Sequence, residues 1–357
     1  MKRLLLSAAL CLILALPVAA QQAPNPISYE VFVNSTISKG KSGLFFVDAR
    51  TGLGNVVVTN GSHHTILGSG VLFQENGTNA IKIAYADGRI VPYPAIQSLD
   101  PKTTVNWVTS ADGGHIAWTV SQTQDQSILS DLYTAGPNGS DKKLLLHTSS
   151  TKGIDTIPLA ISDDGSTVFY ARQAQPGNAY QLFPAAADVF NLDIASGTPT
   201  QLPGRTDCTC AVGFAANGKL FARLEASTSG GFGVHLWNFA VNVDIPVPAS
   251  GLADKQAGWI LLSRDGNLLI YVSARGVPPA KGVPPERYAI VLVDMAQRIQ
   301  RVLIDGLKVN LRPIAFEPGN GVIVLTNTDF NGTYKLALKD GTLLQVSSYT
   351  FLGTISG

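Results

Sequence analysis

The chain repeats itself, and the repeat limits its folds more than any single residue does. The unit is an apolar run, a short turn carrying Asp-Gly or Asn-Gly, and a second apolar run. It reads Trp107-Val-Thr-Ser-Ala-Asp112-Gly113 and then His115-Ile-Ala-Trp118. It returns with turns at Asp164-Gly165, Asn217-Gly218, Asp265-Gly266 and Asn320-Gly321, spaced 52, 53, 48 and 55 residues apart. Such turn pairs predict tight hairpins with positive φ at both central positions. A second hairpin follows each unit, for example from Leu132-Tyr133 through Asn138-Gly139 to Leu144-Leu-Leu146. Seven second hairpins can be counted along the chain.

Two hairpins in about 50 residues make a four-stranded antiparallel unit, and such units set radially build an all-β propeller. No segment sustains a 3.6-residue apolar period, so helices are not expected. The first unit has three runs, and a spare run (residues 349–355) follows the last. Supplied to the first blade as its innermost strand, the spare run would close the ring and hide two sheet edges. Seven blades are expected, with six as the alternative because residues 60–95 form the shortest unit.

The segment 107–118 resembles the repeat of TolB-like propellers, roughly Trp-Ser-Pro-Asp-Gly before an apolar strand, with Ala111 in place of the proline. Residues 158–170 and 259–271 are weaker copies, and the resemblance spans about residues 100–320. It implies a fold and says little about function. The Gly-His and Trp-Asp pairs of WD-type repeats are missing.

Residues 1–20 read as a cleaved signal peptide, leaving 21–357 as one propeller domain. Lys2 and Arg3 precede an apolar run from residue 4 to 16, and Val18-Ala19-Ala20 supplies small residues at the cleavage site. The run is too short to span a bilayer comfortably. A secreted or periplasmic protein is expected, with no transmembrane segment. Lys and Arg total 26 and Asp and Glu 25, without the basic excess that nucleic acid requires.

Loop length points to a working face. The turns between first and second strands are tight, whereas longer connections are expected at 121–130, 172–178, 226–233 and 274–287 on the opposite face. The last contains Gly-Val-Pro-Pro-Ala-Lys281 and then Gly-Val-Pro-Pro-Glu286-Arg287, a doubled hexapeptide. Its paired prolines favour a stiff polyproline ridge with Lys281, Glu286 and Arg287 as polar tips. Asp155, Gln256 and Arg312 fall just before their innermost strands and would ring the channel entrance. Cys208 and Cys210 enter the fifth blade there, and they would face one way in an extended segment. A strained bridge, a soft-metal site or two small buried residues all fit them.

His63 and His64 lie at the same end of the second blade and are the weak metal candidates. Adjacent residues of a strand point apart, so the pair would not chelate one ion without a bend. No Gly-x-Ser-x-Gly elbow, His-Glu-x-x-His, phosphate loop or dinucleotide fingerprint is present. The expectation is a non-enzymatic, monomeric scaffold that binds a protein or peptide and needs no cofactor. The alternative is a lactonase-like or lyase-like propeller enzyme with a divalent metal or small-molecule site in its channel.

Overall fold

A computed structural model describes residues 27–38, 40–96, 102–151, 154–174, 181–186, 188–204, 211–228, 230–276, 286–327 and 332–356. Its strands form seven four-stranded antiparallel sheets arranged as a seven-bladed propeller. Blade 1 contains β1 (Ser28–Ser38), β2 (Lys41–Asp48) and β3 (Gly54–Thr59). Blade 2 contains β4 (Gly61–Leu67), β5 (Gly70–Glu75), β6 (Ile81–Tyr85) and β7 (Ile90–Pro92). Blade 3 follows with β8 (Thr103–Thr109), β9 (Ile116–Gln124), β10 (Ser127–Ala135) and β11 (Lys143–Ser150). Blade 4 has β12 (Ile154–Ile161), β13 (Thr167–Ala174), β14 (Asp188–Asp193) and β15 (Pro199–Gln201). Blade 5 has β16 (Val212–Phe214), β17 (Leu220–Ala226), β18 (Phe232–Asn238) and β19 (Val243–Val247). Blade 6 has β20 (Gln256–Leu262), β21 (Leu268–Ala274), β22 (Tyr288–Asp294) and β23 (Ile299–Leu307). Blade 7 has β24 (Leu311–Phe316), β25 (Val322–Asn327), β26 (Thr333–Ala337) and β27 (Leu343–Ser347).

The last strand, β28 (Thr350–Ser356), returns to blade 1 and pairs with β1 from Ser28↔Ser356 to Val33↔Thr350. The spare apolar run therefore closes the ring, as its place in the sequence implies. Second strands such as β25, Val-Ile-Val-Leu-Thr-Asn, are buried almost throughout because neighbouring blades cover both faces. Outer strands such as β27 are largely open to solvent.

The hairpin turns differ from the expectation in one respect. At Asp112-Gly113 only the glycine has positive φ (+71°), and the same holds at Gly165, Gly218 and Gly266. Gly113 N–H donates to the Ser110 carbonyl at 3.0 Å, closing a turn in which aspartate keeps an ordinary φ. Asp112 acts instead as an acceptor, taking the Ser110 hydroxyl at 2.6 Å and Gly114 N–H at 2.8 Å. Asp164 and Asp265 repeat the pattern with Ser162 and Ser263. A type I turn followed by a left-handed glycine meets the strand twist with one strained position instead of two. In blade 7 the left-handed residues are Gly319 and Asn320, not Asn320 and Gly321.

These turns also tie blades together. Gly68 N–H donates to Gly113 O, Asp163 N–H to Ala216 O, and Asp112 N–H to Asp163 Oδ1. The opposite face keeps the longer connections, with one correction. The expected loop at 121–130 is mostly strand, because β9 and β10 run to Gln124 and from Ser127 and pair throughout.

Apolar clusters fill six of the seven blade interfaces. Among the described residues, no such cluster joins blade 7 to blade 1. Register places Phe45, Val56 and Val58 of blade 1 on the side away from blade 2, and Leu344 and Val346 of blade 7 on the side away from blade 6. Val56 (52%), Val58 (49%), Leu344 (62%) and Val346 (44%) remain exposed at this seam.

Candidate functional site

The seven innermost strands surround the channel, and most carry a register irregularity against the next strand. The shifts fall between Ser62 and Thr65, Pro158 and Ala160, Gly258 and Leu261, and Pro313 and Ala315. A bulge inserts a residue, kinks the strand and re-aims a side chain. In two of these bulges the backbone is left-handed without glycine: His63 (φ +55°) and Trp259 (φ +53°). That conformation costs an L-residue about 1–2 kcal/mol, and for a bulky one it is a true outlier.

Trp259 is the centre of a group assembled from three blades. The Arg312 guanidinium of β24 lies 4.8 Å from its ring centroid, within cation–π range. Phe183, from the β13–β14 connection of blade 4, meets it edge-on at 6.3 Å and 83°. The indole Nε1 is buried and donates to no acceptor among the described residues. An unmade bond of this kind is costly at a buried position and marks a place to look for function. Arg312 is exposed, yet the protein packed about its guanidinium desolvates it and holds its pKa below the ordinary arginine value. The guanidinium remains cationic.

The blade 4 connection reaches blade 6 because glycine makes room for it. A Cβ on Gly258 would stand 2.4 Å from the Phe183 Cβ. Leu182 N–H donates to Gln256 Oε1 at 2.7 Å, and Gln256 Nε2 donates to the Gly276 carbonyl at 3.1 Å. Phe183 then packs on Val272 and Ala274, forming a small apolar cap over blade 6.

The sequence-predicted residues separate into distinct groups. Gln256 and Arg312 join the Trp259 group, one as the clamp on the blade 4 connection and the other over the indole. Both lie inside β20 and β24 instead of before them, and His63, His64 and Asp155 likewise lie inside their strands. Asp155 does not face the channel mouth with them. It is 4% exposed, and its Oδ1 accepts the Ser121 and Ser130 hydroxyls of blade 3 at 2.6 and 2.8 Å. Register turns that carboxylate into the joint between blades 3 and 4.

His63 is exposed and meets Trp107 edge-on at 5.7 Å, while Trp107 Nε1 donates to Thr65 Oγ1 at 3.3 Å. His64 turns the other way, stacks on Phe73 and lies 3.0 Å from Thr59 Oγ1. Burial lowers its pKa to about 4, with a further push from His63, so it is neutral at pH 7. Glu286 Oε1 accepts the N–H groups of Gly276 and Arg287, and Arg287 lies 3.7 Å from Asp305. Lys281, Cys208 and Cys210 lie outside the described residues.

Trp259 and Phe183 were not singled out by sequence reasoning. Trp259 occupies the tryptophan position of the repeat and so reads as a structural mark. The signal was one of spacing. Trp107 precedes its turn serine, Ser110, by three residues, and Trp259 precedes Ser263 by four. The extra residue is the bulge.

No known family pattern matches the chain, and no curated protein matches it in sequence. Solved structures match its fold. An oligogalacturonate lyase in complex with manganese aligns with a TM-score of 0.56 at 11% identity, covering 87% of this chain and 86% of that one. The periplasmic gluconolactonase of Pseudomonas aeruginosa aligns at 0.52 and 17% identity, covering 92% and 98%. TolB from Acinetobacter baumannii aligns at 0.48 and 12% identity, covering 88% and 78%. At these identities the likeness is one of fold. Among the described residues, no group of three or more His, Cys, Asp or Glu could hold a metal such as the lyase's manganese. No helix among them is long and apolar enough to cross a membrane.

Proposed function

We propose that this chain is a secreted or periplasmic scaffold that binds a protein or peptide through its long-connection face. The channel-mouth group of Trp259, Arg312 and Phe183 is the anchor. One observation carries this reading: a left-handed tryptophan with a buried, unbonded indole N–H lies beneath an arginine that still reaches solvent. Trp and Arg dominate recognition hot spots because each combines large contact area with directional polar groups. Their charge and donors suit an acidic side chain or a terminal carboxylate of an extended partner. Gly276, tied to Gln256 and to Glu286, brings one end of the proline-rich 276–287 segment to this group, and that segment is proposed as a second contact.

The test is capture from native extracellular or periplasmic extract with the mature protein, an Arg312→Ala variant and a variant whose 276–287 loop is a short Gly-Ser turn. A partner retained by the first and lost by the Arg312 variant supports the reading. A partner held equally by all three overturns the channel-mouth anchor. Turnover of a lactone or an oligogalacturonate by the purified protein, dependent on added divalent metal, would overturn the scaffold reading in favour of an enzyme.

A further inference from the structure

The face of blade 5 that packs on blade 4 contains a second polar group, which shares no residue with the channel-mouth group. Register aligns it: Phe221 lies opposite Trp237, Arg223 opposite His235, and Trp237 opposite Asp244, with Glu225 two residues beyond Arg223 on the same side. Together with Pro203 and Gly204 these residues line a cavity of about 180 Å³. A larger opening of about 330 Å³ shares Glu225 and His235 and continues past Gly233, Pro246 and Ala249.

The polar groups in it are mainly acceptors. His235 Nδ1 lies 2.9 Å from Asp244 Oδ2, and an ionised carboxylate can only accept, so Nδ1 carries the proton. In the neutral ring Nε2 is then a lone pair. It faces Glu225 Oε2 at 3.8 Å, too far for a hydrogen bond but close enough for one donor to reach both. Asp244 Oδ1 is buried and accepts no hydrogen bond among the described residues. Arg223, 3% exposed, lies 3.8 Å from Glu225 Oε1 on the far side of that carboxylate. Its guanidinium fits only because residue 204 is glycine, whose Cβ would stand 1.8 Å from Nη1. Among the described residues two carboxylates face one guanidinium, an excess of one negative charge when the His235 ring is neutral. Phe221, Trp237 and Pro203 supply apolar and aromatic wall, which favours a cation with a hydrocarbon stem.

We propose that this inter-blade cavity binds an alkylammonium group, with the ammonium between His235 Nε2 and Glu225 Oε2 and the carbon chain against Phe221 and Trp237. At about 30 Å³ per water the inner cavity holds roughly six water-sized atoms, which suits a four-carbon ammonium chain. The source is a free amine or a lysine side chain on a partner entering past Pro246. The proposal does not rest on the channel-mouth anchor.

The experiment titrates the mature protein with n-butylammonium, 1-butanol, Nα-acetyl-lysine methylamide and its Nε-acetylated form. The His235 ring signal in proton–carbon correlation spectra is followed, identified by its loss in His235→Gln. Saturable shifts with the two ammonium compounds, and none with butanol or the acetylated lysine, are expected. Glu225→Gln weakens binding at least tenfold, while Arg312→Ala leaves the titration unchanged. Should Glu225→Gln fail to fold, Asp244→Asn, a replacement of similar size, makes the same test. Tighter binding of the lysine amide than of butylammonium assigns the site to a protein-borne lysine, and the reverse order assigns it to a free amine. Equal shifts with butanol and butylammonium, no shift with either ammonium compound, or wild-type titration by the carboxylate variant would overturn the proposal.

Discussion

Replacing Asp155 separates a structural carboxylate from a recognition residue. The side chain is buried, and its Oδ1 accepts two serine hydroxyls that are themselves buried, Ser121 at 5% and Ser130 at 1% exposure. Hydrogen bonds to a charged acceptor contribute about 1.5–3 kcal/mol each. Asp155→Asn keeps an acceptor and loses the charge, so it costs about 1–2 kcal/mol. Asp155→Ala removes both bonds, but the two hydroxyls lie 3.1 Å apart and still pair with each other. That residual bond limits the loss to about 3–4 kcal/mol. Chemical denaturation of the wild type, Asp155→Ala, Ser130→Ala and the double variant gives the coupling directly. A coupling of about 1–2 kcal/mol is expected, with partner capture by folded Asp155→Asn unchanged. Additive losses, or an alanine variant within about 0.5 kcal/mol of the wild type, would refute the account of a pin between blades 3 and 4.

Three further outcomes follow from described geometry. Burial holds His64 at a pKa of about 4 against 6.5 for an ordinary histidine, so the unfolded chain takes up a proton that the folded chain refuses. Stability therefore falls by about 3 kcal/mol as pH drops from the unfolded value towards the folded one, and His64→Gln flattens that part of the denaturation profile. At position 259, glycine relieves the left-handed strain that alanine retains, so Trp259→Gly should be about 1 kcal/mol more stable than Trp259→Ala by denaturant midpoint. Gly258→Ala drives a methyl into Phe183 and lifts residues 181–186, which hydrogen exchange at the Leu182 amide should report as lost protection.

The architecture was legible because each blade repeats one message. The Asp-Gly turns, the paired apolar runs and the spare terminal run each specify an element that packs in the same way wherever it recurs. Even so, the turns were misread at the level of φ, because Asp112 serves as an acceptor for Ser110 and Gly114 while glycine alone turns left-handed. The site was less legible. Asp155, Gln256 and Arg312 look equivalent in the repeat, but a side chain in an innermost strand faces the channel or a neighbouring blade according to local register. One inserted residue reverses that choice. The cap formed by Phe183 over blade 6 lies still further from the sequence signal, since it depends on a missing Cβ at Gly258 some 75 residues away.

The clasp between β28 and β1 has a consequence for the order in which the chain is written. Ser28 and Ser356 are paired neighbours, so a short linker could join them and the polypeptide could be cut between β23 and β24. The rearranged chain would carry every blade from one continuous stretch, blade 1 included, with β28 running straight into β1. It would exchange a closure made across the whole length of the molecule for a local hairpin. Contacts that now join the two ends would become among the shortest-range in the protein, and folding should accelerate. In this ring the present starting point is one choice among seven.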